Sequence, residues 1–93
     1  MEIGDKISKY YPKTKDELRK LLEQLLEERG SDANLNDIDV SNITDMSDLF
    51  YRLDPHNINI SEWNVGNVYD MSLMFNNCYN FNSDLNSWNV ENV

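Results

Sequence analysis

The chain is poor in the residues that most often announce chemistry: one cysteine and one histidine in 93 residues. A single Cys78 excludes an internal disulfide and any paired-cysteine metal spacing. Near Met1 no apolar run of signal-peptide length occurs, and no run anywhere approaches transmembrane length. The chain as written is therefore expected to carry no export signal, and no membrane insertion is expected. Positive charge is missing from most of the sequence. Residues 1–29 balance seven acids with seven bases, but beyond Gly30 ten acids face Arg52 alone, which gives the whole net charge of −9. A surface this acidic repels phosphate backbones, so nucleic acid is excluded as an expected partner. Asparagine is absent before Asn34, and fourteen occur from there on. Two segments of different construction meet near Gly30.

The second segment repeats itself. "SNITDMSDLF" at 41–50 returns as "GNVYDMSLMF" at 66–75, a shift of 25 residues. At that shift Leu35, Ile60 and Leu85 align without a gap, as do Ile38, Trp63 and Trp88. Val40, Val65 and Val90 align too, and Met46 pairs with Met71, Leu49 with Met74 and Phe50 with Phe75. Residues 35–59 and 60–84 are two full units and 85–93 is part of a third. In "IDV" and "WNV" apolar residues alternate with polar ones, which predicts a short strand. Met46, Leu49, Phe50 and Leu53 are spaced i, i+3, i+4, i+7, which predicts a short helix, and Met71, Met74, Phe75 and Cys78 repeat it. Neither element buries its apolar face alone, so the units are expected to stack in parallel over one continuous core.

Residues 1–13 read as a lead-in and 14–30 as an N-terminal capping helix, within a single domain spanning 1–93. Thr14 and Glu17 have capping-box spacing, Gly30 stands at the expected C-terminal stop, and Leu18, Leu21, Leu22, Leu25 and Leu26 form the apolar stripe. A helix that docks on a partner would have the same pattern. At the other end the third unit reaches Val93 before its helix. Trp88, Val90 and Val93 are therefore expected to form an open edge, suited to self-association into a homo-oligomer.

At these residues the chain resembles the repeat of BspA-like bacterial surface proteins, a leucine-rich-repeat relative. "DVSNITDMSDLF", "WNVGNVYDMSLMFNNCYNFNSDLNSW" and "WNVENV" carry the likeness, and "YPKTKDELRKLLEQLLEERG" resembles the segment that often precedes such repeats. The resemblance covers about residues 12–93. It implies an α/β fold: a capping helix followed by a short right-handed leucine-rich-repeat-like solenoid with a small parallel sheet. It also implies a cell-surface or secreted setting associated with adhesion.

Several residues invite a functional reading. The outward row of the expected strands is Asp37, Asp39 and Ser41, then Glu62, Asn64 and Gly66, then Ser87, Asn89 and Glu91. Either it binds a protein partner or it is a solvated face. Asn42, Asn67 and Asn92 recur after each strand and suit a structural ladder that satisfies backbone groups. Rows of Asp32, Asn57, Asn82 and of Asn34, Asn59, Asp84 offer oxygens to calcium, but such residues also build turns, and the EF-hand glycine and glutamate positions fall on Asp37 and Ile43. His56 reads as a turn residue and Cys78 as a small hydrophobe. No acid–base pair, nucleophile dyad or metal set is apparent. The expectation is a non-enzymatic interaction module without cofactor or metal, with self-association through the C-terminal edge as the alternative.

Overall fold

The computed structural model describes residues 8–93, so the lead-in before Ser8 lies outside the described residues. Its one regular element is helix α1, Lys15–Arg29. The Thr14 hydroxyl accepts from the Glu17 N–H, and Glu17 Oε1 accepts from the Lys13 N–H at 3.0 Å. The first bond occupies a donor that a first helical turn leaves open, and the second ties down the residue before the cap. Gly30 stops the helix at φ 91°, and its N–H returns to the Leu26 carbonyl. Only a residue without Cβ adopts that backbone cheaply. Leu18, Leu22 and Leu25 are fully buried, with Leu21 and Leu26 beside them.

The expected α/β architecture, a right-handed leucine-rich-repeat-like solenoid with a small parallel sheet, is overturned. Among the described residues no strand or sheet forms, and the 25-residue units meet through isolated parallel bridges such as Asn34–Asn59 and Asp45–Asp70. The expected strands are turns. Ile38 N–H bonds the Leu35 carbonyl, Trp63 the Ile60 carbonyl and Trp88 the Leu85 carbonyl, three residues back each time. Turn-forming side chains explain the outcome: Asp39 Oδ1 accepts from both the N–H and the hydroxyl of Ser41. Asp45 with Ser47, Asn59 with Ser61 and Asp70 with Ser72 repeat that arrangement. Such local bonds offer the backbone an alternative to a ladder.

The expected short helices are turns as well. Asp48 has φ 58° and Arg52 φ 67°, and one unit later Leu73 has φ 57° and Asn77 φ 64°. Left-handed residues at these points break any helix. The N–H groups of Met46, Asp48 and Phe50 instead reach the carbonyls of Asp70, Ser72 and Met74 in the next unit, at 2.8, 3.0 and 3.0 Å. An eight-residue helix closes few bonds after a costly nucleation. Bonding alternate N–H groups to a neighbour satisfies them while leaving Met46, Leu49 and Phe50 fully buried.

The core is one cluster running from α1 through both full units. Aromatic rings mark its register: Phe50 stacks on Phe75 at 5.3 Å and Trp63 on Trp88 at 6.3 Å, each pair within 8° of parallel.

Candidate functional site

The two ends of the stack are finished differently. At the head, α1 supplies cations to carbonyls and carboxylates of the first unit. Arg19 donates to the carbonyls of Asp48, Leu49 and Tyr51. Lys15 Nζ donates to the Ser47 hydroxyl at 3.0 Å and lies 3.6 Å from Asp45. Arg29 grips both oxygens of Asp37 at 3.0 Å and also donates to the Asn34 carbonyl. Alongside, the Tyr10 carbonyl accepts from the Asp39 N–H and its N–H donates to the Asp37 carbonyl. The head presents acceptors, and α1 covers them with donors.

At the tail the face is stepped. Residues 85–93 lie over 60–68, held by Trp88 Nε1 to the Ile60 carbonyl at 2.9 Å, Ser87 Oγ to the Ser61 carbonyl at 2.6 Å and Asn92 Nδ2 to the Gly66 carbonyl at 2.8 Å. The other half of the second unit has no such cover. Met71, Leu73 and Phe75 correspond to Met46, Asp48 and Phe50, yet their N–H groups meet no backbone acceptor among the described residues. A pocket of about 290 Å³ opens at the step, lined by Met71, Met74, Phe75, Leu85, Trp88 and Val90. In the same unit Tyr69, Leu73 and Tyr79 are largely exposed. In the first unit the same positions hold Thr44, Asp48 and Asp54, so the apolar character belongs to the second unit alone. Leucine at φ 57° costs about 1–2 kcal/mol relative to ordinary backbone. Here that strain coincides with exposure.

The outward row of expected partner-binding residues is spread over the turns. Asp37 is held by Arg29, and Asp39 Oδ1 serves Ser41. Asn64 Oδ1 accepts from the Gly66 N–H and Asn89 Oδ1 from the Glu91 N–H. The Glu62 N–H is taken by Asn36 Oδ1, and Ser87 bonds the previous unit. Of the recurrent asparagines, Asn67 Nδ2 bridges to the Ser41 carbonyl and Asn92 Nδ2 to the Gly66 carbonyl, both at 2.8 Å; Asn42 is exposed in the first unit. Trp88 is half-buried on the step, while Val90 and Val93 are 49% and 54% exposed.

In the rows of oxygens weighed between calcium and turns, Asp32 accepts from the Asn57 N–H, Asn34 from Asn36, Asn59 from Ser61 and Asp84 from Asn86. The oxygens of Asn34, Asn59 and Asp84 build turns, and that of Asp32 ties the chain to the next unit. Among the described residues no group of three or more His, Cys, Asp or Glu is placed to hold a metal ion. His56 contributes chiefly through its backbone, bonding the Ser31 carbonyl and accepting from Asn82. The Cys78 thiol donates to the Phe50 carbonyl at 3.3 Å, and burial raises its pKa.

Three carboxylates are held below their usual range. For Asp37 the largest cause is the Arg29 hydrogen bond; for Asp45 and Asp70 it is the hydroxyl of Ser47 or Ser72. The repeated Asp-x-Ser spacing was visible in the sequence. The indole bonds to the preceding unit and the role of Arg19 were not, because nothing in residue spacing says which carbonyls a stack leaves open.

A protein-family model described as "Mycoplasma protein of unknown function, DUF285" matches residues 18–93. No curated protein and no solved structure matches the chain.

Proposed function

The chain belongs to the DUF285 family, and on that premise we propose that it is a non-enzymatic protein-interaction module that binds through its stepped tail face. The observation that carries this reading is the difference between two equivalent rows. Met46, Asp48 and Phe50 donate to a neighbouring unit, whereas Met71, Leu73 and Phe75 stand beside an apolar pocket without one. Unpaired backbone donors next to apolar surface favour an occupant that supplies carbonyls and apolar side chains together. The contact between the first and second units is the template for it. A protein segment of repeat-like conformation meets both demands.

The acidic outward row is not needed for this reading, since its side-chain oxygens serve their own turns. The adhesive, surface-protein setting rests on the BspA-like resemblance and fits an interaction module.

The test is to complete the third unit by appending a copy of residues 69–84 after Val93. If the face accepts repeat-like protein, the added segment stacks, the melting temperature rises and Trp88 emission shifts to the blue. An unstructured extension with an unchanged melting temperature would sink the reading.

A further inference from the structure

We draw no further inference here: the strongest candidate, the apolar pocket at the tail step lined by Met71, Met74, Phe75, Leu85, Trp88 and Val90, belongs to the surface already described, and nothing in the structure shows what covers it.

Discussion

The first unit and the last carry the same pattern of residues and meet different fates. Ile38, Val40 and Ile43 are at most 1% exposed; their equivalents Trp63, Val65 and Val68 reach at most 3%. In the third set Trp88 is half-buried, and Val90 and Val93 are about half exposed. A valine at one repeat position is core or surface according to its place in the stack. Burial here is a property of having a neighbour on each side, as expected for quasi-one-dimensional arrays.

The most damaging way to probe that difference is to remove the same indole at two levels. Trp63→Ala should cost about 3–5 kcal/mol, since it empties a buried site and strips the donor from the Leu35 carbonyl. Trp88→Ala should cost clearly less, about 1–2 kcal/mol, from partly buried area. Urea unfolding of dilute protein measures both. Equal losses would mean that the third segment is as firmly packed as the second.

The head of the stack gives the next effect. Arg19→Met keeps the apolar stem but leaves three carbonyls without their charged donor, and should cost about 1.5–3 kcal/mol. Arg52→Ala, an exposed residue over the Tyr51 ring at 5.3 Å, should change stability by less than about 0.5 kcal/mol. The contrast is read in one set of thermal melts.

A smaller gain is expected at the tail. Leu73→Asn places a residue tolerant of left-handed backbone at φ 57° and should stabilise the monomer by up to about 1 kcal/mol. Asp48→Asn, at the matching position of the first unit, should be nearly neutral because aspartate already tolerates that backbone.

The least effect comes from pH. Asp37, Asp45 and Asp70 all have carboxyls held below their ordinary values. A depressed carboxylate contributes stability that is present above its unfolded pKa of about 3.9 and is lost as pH falls through the lower folded value. Stability should therefore fall with acidification below about pH 4. Asp37→Asn should flatten the slope most, because Arg29 holds that side chain from both oxygens. A slope unchanged in that variant would remove the Arg29 pair from the account.

Much of this comparison was legible in the residues. The 25-residue shift set which side chains align, and Thr14, Glu17, Gly30 and the leucine stripe marked α1 and its ends. The conformation between these points was not legible. Apolar residues at i, i+3, i+4 and i+7 face one way along a helix, and also along turns broken by left-handed residues at 48 and 52. Alternation in "IDV" and "WNV" is likewise shared by a strand and by a chain of turns. What decides is where the N–H groups find acceptors, and that depends on the neighbouring unit. Arg19 shows the same limit, since its partners are carbonyls thirty residues away that only the stacked first unit brings to α1.

Site-resolved amide exchange on dilute protein addresses that central point most directly. The amides of Met46, Asp48 and Phe50 bond the next unit and should exchange only on large-scale opening. Those of Met71, Leu73 and Phe75 have no such backbone partner among the described residues and should exchange far faster. Equal protection of the two rows in dilute protein would contradict the account.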